Sequence, residues 1–304
     1  MIRNLQEIVN NKKVIIALTP MLIGMVNLPG GAYISAPFVD KAANGFQFSQ
    51  EDKSSINIIF RHFWYPVYPI FPAIILLHDL SGVPINKIIL LGIPSVLISF
   101  FMSWWICFRG IPYKYNDNKR SKTRSIFLGY FIRALLPLLI IVFLVIVIRL
   151  NILMSILIGI ITVVLLYYKK FFKSFDSFKK MIVRIFKNGI KWRILIIPFG
   201  IYFFRNALDR SEVIEMLPGL ISNMNISILI PTVIFSALVA FFTAYHLAAI
   251  SISAPVILPL LPAESYDIGV FLLLIGTLLG YLISPLHTCI ALSNDYFKAD
   301  YIKT

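Results

Sequence analysis

Acidic side chains are scarce in this chain: 14 aspartates and glutamates stand against 28 lysines and arginines in 304 residues. None of the acids falls in the middle of an apolar run. That excludes an aspartyl intramembrane protease, which needs paired carboxylates, and a proton pump built on a membrane carboxylate. Cysteine is nearly absent. Cys107 and Cys289 lie in or beside apolar stretches, so no disulfide framework is implied, and no metal-ligand spacing is present. The chain has no glycine-rich phosphate loop and no His-Glu-x-x-His motif. With these devices missing, no enzyme and no cofactor is expected, beyond Na⁺ as a coupling ion.

What the chain does have is apolar surface. It is 59% hydrophobic and 14% charged, whereas a soluble domain has about 45–50% apolar and about 25% charged residues. Mean hydropathy is +0.84. Apolar runs fall at 57–77, 85–107, 125–149, 151–168, 192–208, 226–243 and 266–292. A bilayer core needs roughly 20 helical residues, and most of these runs qualify. The expected fold is therefore an all-α polytopic membrane protein, with the lipid bilayer as its main partner.

The net charge of +14 would suit nucleic acid, but its distribution argues for a membrane surface. Residues 109–124 carry six basic side chains against Asp117 alone, and residues 169–193 carry nine against Asp176 alone. Both clusters lie between apolar runs, as the positive-inside rule expects of cytoplasmic loops in an inner membrane. Residues 171–189 mix phenylalanine with lysine and fit an amphipathic surface helix or a plain basic loop. The basic N-terminus followed by a short apolar run resembles a secretory signal. However, Pro29, Gly30 and Gly31 stand where a small-x-small cleavage site belongs.

Anchoring both basic loops inside fixes the order of crossings. The segment 13–45 then starts and ends on the cytoplasmic side, and each of its arms is too short to cross. It should dip in and return, with Leu28-Pro-Gly-Gly31 at its turn. A second copy follows. Ile34-Ser-Ala-Pro37 recurs as Ile252-Ser-Ala-Pro255, and Tyr65, Pro69, Ile74 and Leu76 recur as Tyr281, Pro285, Ile290 and Leu292 in the same order. The arms at 226–262 would enter from the outside, with 243–255 at the tip. The two copies are thus inverted, an organisation expected of secondary transporters. The first repeat covers 1–108 (hairpin 13–45, broken helix 57–77, span 85–107). A basic loop at 109–124 separates it from the second at 125–304 (spans 125–149, 151–168 and 192–208, hairpin 226–262, broken helix 266–292). By its own symmetry the chain lacks about three N-terminal spans and one C-terminal span, so a homodimer or a second chain carrying them is an expected partner.

Three motifs add a resemblance. Leu28–Pro37 (LPGGAYISAP), Ile56–Pro69 (INIIFRHFWYPVYP) and Ser284–Asp300 (SPLHTCIALSNDYFKAD) are similar to the integral-membrane family catalogued as domain of unknown function 401. That family is grouped with gluconate, citrate and dicarboxylate carriers. The resemblance implies an inverted-repeat, elevator-type secondary carrier and no substrate; the sequence departs from the longer members of that family at both ends.

Irregular backbone at membrane depth is tolerated only inside protein or along a cavity. The interruptions at 29–31, 66–72, 243–255 and 284–285 therefore mark the expected site. Freed helix N-terminal amides suit an anion. The polar and turn-forming residues there are Asn27, Gly30, Gly31, Ser35, Pro69, Thr243, Ser251, Ser253, Ser284 and Thr288, with Asn294 further on. Serine and threonine in membrane helices also simply bond back to a carbonyl. Arg61 either snorkels to the headgroups or attracts an anionic solute from a cavity. His62, His246 and His287 are proton-sensitive candidates or structural histidines. Gly276, Gly280, Ser284 and Thr288 recur every four residues, a stripe best suited to close helix packing. The expected function is secondary transport of a small organic or inorganic anion coupled to Na⁺ or H⁺. The rivals are a non-transporting subunit of a split carrier and a membrane-embedded lipid enzyme acting through His62 or His287.

Overall fold

A computed structural model describes residues 11–25, 31–112, 124–171 and 227–304, together with Val183, Phe203, Asn206, Ala207 and Arg210. Asn27, Pro29, Gly30, the span 192–208 apart from those single positions, and most of both basic loops lie outside the described residues. So does the amphipathic stretch 171–189 apart from Phe171 and Val183. Among the described residues the chain is all-helical, with no β-strand.

The helices are α1 (Lys12–Gly24), α2 (Gly31–Ala43), α3 (Gln50–His62), α4 (Pro72–Ser81), α5 (Ile85–Phe108), α6 (Arg124–Ile146), α7 (Ile152–Phe171), α8 (Leu229–Thr243), α9 (His246–Ile257), α10 (Tyr266–Ile283) and α11 (Thr288–Phe297). Among the described residues, two stretches are long and apolar enough to cross a membrane: Ile85–Phe108, and Ala263–Phe297 taken across its interruption. On α5, Leu90, Leu97, Ile98, Phe101, Met102, Trp105 and Ile106 are all exposed.

One order of elements occurs twice. A helical pair (α1–α2, α8–α9) is followed by a helix broken at prolines (α3–α4, α10–α11). The partners are crossed: α4 packs on α9, and α11 packs on α2 and α3. The repeated tetrapeptides sit on the second arm of each pair. Ser35 and Ala36 on α2, and Ser253 and Ala254 on α9, are all fully buried. The tetrapeptides are helical, however. The turn of the second pair is only Ala244–Tyr245, closed by Ala244 in the left-handed region (φ 48°), so Ser251 and Ser253 lie on α9 rather than in a tip running from 243 to 255.

Local chemistry explains the breaks. α3 begins at Gln50, seven positions before its apolar run, because Ser49 and Asp52 form a reciprocal capping box. It stops at His62, ahead of Pro66 and Pro69. Proline lacks the N–H that a helix interior requires. Two aromatic side chains satisfy freed carbonyls: the Trp64 indole donates to Arg61 O (2.9 Å) and the Tyr68 hydroxyl to Met25 O (2.9 Å). Pro72 restarts the helix at its first position, where no N–H is needed. The second break is shorter. Ser284 leaves the helix in extended conformation and His287 caps α11. The stripe Gly276–Thr288 is therefore split: Gly276 and Gly280 pack against α8 from within α10, Ser284 reaches α8 from the break, and Thr288 is exposed at the start of α11.

Away from the breaks, the α3 terminus is tied to the end of the chain. Glu51 accepts from Asp300 N–H (3.2 Å), and backbone N–H groups, its own and that of Asp300, hold its carboxyl below the ordinary range. Within the core, Asn57 joins three helices. It accepts from Ser35 Oγ (2.6 Å) and donates to Ala32 O (2.9 Å) and Ser293 Oγ (2.8 Å), linking α2, α3 and α11. Asn57→Ala leaves buried partners unsatisfied, at about 1–3 kcal/mol for each group fully stranded. Ser35 can turn its single proton to Gly31 O or Ala32 O instead, so the expected total loss is about 2 kcal/mol, read as a lower denaturation midpoint in detergent.

Candidate functional site

Arg61 occupies the last turn of α3, yet only 2% of its surface is exposed. It does not snorkel. Its stem and guanidinium run through a notch made by two glycines. A Cβ at Gly24 would lie 2.9 Å from Arg61 O and 3.1 Å from its Cγ; one at Gly31 would lie 2.8 Å from Cζ and 2.9 Å from Nη1 and would meet Nη2 more closely still. Gly31 is also the first residue of α2, so the guanidinium rests against a helix N-terminus. Nε and Nη1 of Arg61 have no hydrogen-bond partner. Among the described residues the ion pairs are Lys53–Asp40, Lys87–Asp267 and Lys298–Asp295. None of them involves Arg61.

Beside it, His62 and His287 meet edge to face, with ring centroids 4.9 Å apart, and both are fully buried. His62 Nδ1 lies 2.6 Å from the Ile58 carbonyl. A carbonyl only accepts, so Nδ1 carries the proton and Nε2 presents a lone pair with no partner. Neither ring nitrogen of His287 has a partner. Tyr281, in the last turn of α10, packs on His287 (3.9 Å between centroids), on His62 (5.7 Å) and, nearly parallel, on His246 (6.0 Å). Cys289, half-buried, follows His287 by two residues in the first turn of α11.

His246 opens α9. Thr277 Oγ gives its proton to Leu274 O (2.9 Å), so His246 Nε2 donates to Thr277 Oγ (2.8 Å) and Nδ1 is left without a partner. His246, Tyr65, Phe71 and Tyr281 line a cavity of about 80 Å³. A larger cavity, about 300 Å³, is mostly apolar and carries Ser95, Ser99 and Ser103 of α5; it includes neither Arg61 nor the histidines. The starts of α2, α9 and α11 and both proline breaks thus converge on one buried cluster that, among the described residues, holds one cation and no carboxylate.

The remaining expected residues divide plainly. Pro69 is buried in the first break. Thr243 and Ser251 bond back to Val239 O and Leu247 O (2.8 Å each), and Ser284 donates to Phe241 O (2.6 Å). All three are structural in this conformation. Ser35 serves the Asn57 network. Ser253 is fully buried with a hydroxyl that has no partner. Asn294 accepts from Ser54 (2.5 Å), and its amide nitrogen has no partner. Sequence inspection alone did not single out Tyr281 as a site residue, nor Cys289, Thr277 or Asn57. The available signals were Cys289 two residues after His287 and an asparagine inside the run Ile56-Asn-Ile-Ile.

A family model described as a protein of unknown function, DUF401, matches residues 2–304. The chain belongs to the DUF401 family. No curated protein matches it. In DUF401 terms, the match spans both hairpins and both breaks, so the Arg61 cluster lies inside the region that defines the family.

Proposed function

We propose that this chain is the membrane-embedded core of a secondary carrier that takes a small anion at Arg61. The observation that carries this reading is the buried guanidinium with two free donors and, among the described residues, no carboxylate beside it. Removing an ion from water costs several kcal/mol even after relaxation, and unpaired buried charges are retained where a partner arrives from outside. Gly31 supports it, because the first turn of α2 adds backbone N–H groups at the positive end of the helix dipole.

Two features support the carrier over a static binding protein. The hairpin-plus-broken-helix order occurs twice with crossed partners, which fits two inverted repeats meeting at a midplane site. The exposed apolar face of α5 fits contact with lipid: 24 residues at about 1.5 Å each exceed the roughly 30 Å hydrocarbon core. The basic loops at 109–124 and 169–193 would face the cytoplasm. A coupling cation moving through 100 mV supplies about 2.3 kcal/mol per charge, enough to drive uptake.

The test is flux into proteoliposomes across a panel of carboxylates, phosphate and sulfate, under imposed Na⁺ and H⁺ gradients. Saturable uptake of at least one anion, dependent on one of the gradients, is expected. Failure of every anion under both gradients, with monodisperse protein shown to be inserted, would sink the proposal.

A further inference from the structure

His62 Nε2, His287 and Cys289 Sγ do more than border Arg61. The donor atoms of the three residues all lie within 4.8 Å of one another. Two of the three residues have nitrogen lone pairs without partners, in a fully buried setting. The His62 ring is oriented as a metal ligand is: its Nδ1–H is held by the Ile58 carbonyl, which fixes the tautomer and aims Nε2 inward. His287 and Cys289 come from one short turn and helix start, and His62 from the end of a helix on the other half of the crossed pair. Two imidazoles and a thiolate form a soft donor set, which selects Cu⁺ or Zn²⁺ over hard cations.

Charge decides between those two. Ligation needs the thiolate, so metal entry releases the Cys289 proton to solvent. Exchanging H⁺ for Cu⁺ leaves the net charge beside Arg61 unchanged. Exchanging H⁺ for Zn²⁺ adds one buried positive charge, tolerable only if an anion enters as well. We propose that His62, His287 and Cys289 form a soft-metal site that takes one monovalent copper ion. This site does not rest on the carrier reading, because copper binding is measured without transport.

The experiment is an anaerobic titration of the purified full-length chain against a colorimetric Cu⁺ chelator of known affinity. Withdrawal of one equivalent of Cu⁺ is expected, weakened at least tenfold by Cys289→Ser and by His62→Ala. It should be unchanged by Cys107→Ser, since Cys107 is buried elsewhere, in the cluster with Phe108 and Phe60. A second readout needs no site variant: in the Cys107→Ser background, Cu⁺ should block maleimide labelling of Cys289. Zn²⁺ should bind only when a small anion such as sulfate is added. No withdrawal of Cu⁺ by the wild-type chain, or full withdrawal by Cys289→Ser, would overturn the site. Absent flux with intact copper binding would instead count against the carrier reading alone.

Discussion

Replacing Arg61 with methionine is expected to abolish anion binding while leaving the protein folded. The two free donors, Nε and Nη1, would each give an anion a charge-assisted hydrogen bond worth about 1.5–3 kcal/mol. Losing both weakens binding by about 3–6 kcal/mol, at least a hundredfold. Stability should not fall in step. The side chain is 2% exposed and has no carboxylate partner among the described residues, and a buried charge exchanged for an apolar side chain of similar volume is often neutral or stabilising. Arg61→Lys keeps the charge but loses the planar fork and should show an intermediate loss. Equilibrium binding of the transported anion, read beside the thermal midpoint in detergent, separates the two effects. Wild-type affinity in Arg61→Met would remove the guanidinium from the mechanism. A lowered midpoint with unchanged affinity would make Arg61 a structural residue.

Gly280→Ala should do the opposite, damaging the fold without removing a donor from the site. A Cβ at Gly280 would lie 2.7 Å from the carbonyl carbon and 2.8 Å from the Cα of Ala237, and closer still to the Ala237 oxygen. Every clashing atom is backbone of α8, so no side chain can swing away and the helices must separate. Overpacking of a core ordinarily costs about 1–3 kcal/mol, and this case should reach about 3 kcal/mol or more. Gly276→Ala meets Val233 O at 2.6 Å and the more adaptable Ser236 side chain, and should cost less. Chemical denaturation in detergent ranks the three proteins. If Gly280→Ala unfolds at the wild-type midpoint, the close packing of α8 on α10 is wrong.

Much of the architecture was visible in the residues themselves. The closely spaced Pro66, Pro69 and Pro72, and Pro285 after Ser284, mark the two breaks, although Pro37 and Pro255 sit inside helices, and the repeated Ile-Ser-Ala-Pro marks equivalent arms. What escaped was non-local. The inward course of Arg61 depends on Gly24 and Gly31, which lie on a different element and are bare only because their neighbour is large. Cys289 meets His62 across most of the chain, a pairing that spacing cannot reveal. The four-residue stripe through Ser284 and Thr288 looked continuous because periodicity does not register the extended conformation at Ser284 that breaks the helix. The polar start of α3 carried its own sign in Ser49-x-x-Asp52, hidden beside the more conspicuous apolar run.

The exchanged docking of α4 on α9 and of α11 on α2 bears on how the chain is made. Each half packs its own helices together but leaves part of α2 and α4 to be covered by the other, so the first half emerges from the ribosome with those contact faces still waiting. Translation at about 5–20 residues per second puts the arrival of α8–α11 on the order of ten seconds later. During that interval Arg61 has no α11 beside it, and its charge must be tolerated by the insertion machinery or by water. Nascent chains halted near residue 220 should therefore be far more sensitive to protease than finished ones, a vulnerability that belongs to biogenesis rather than to the mature protein.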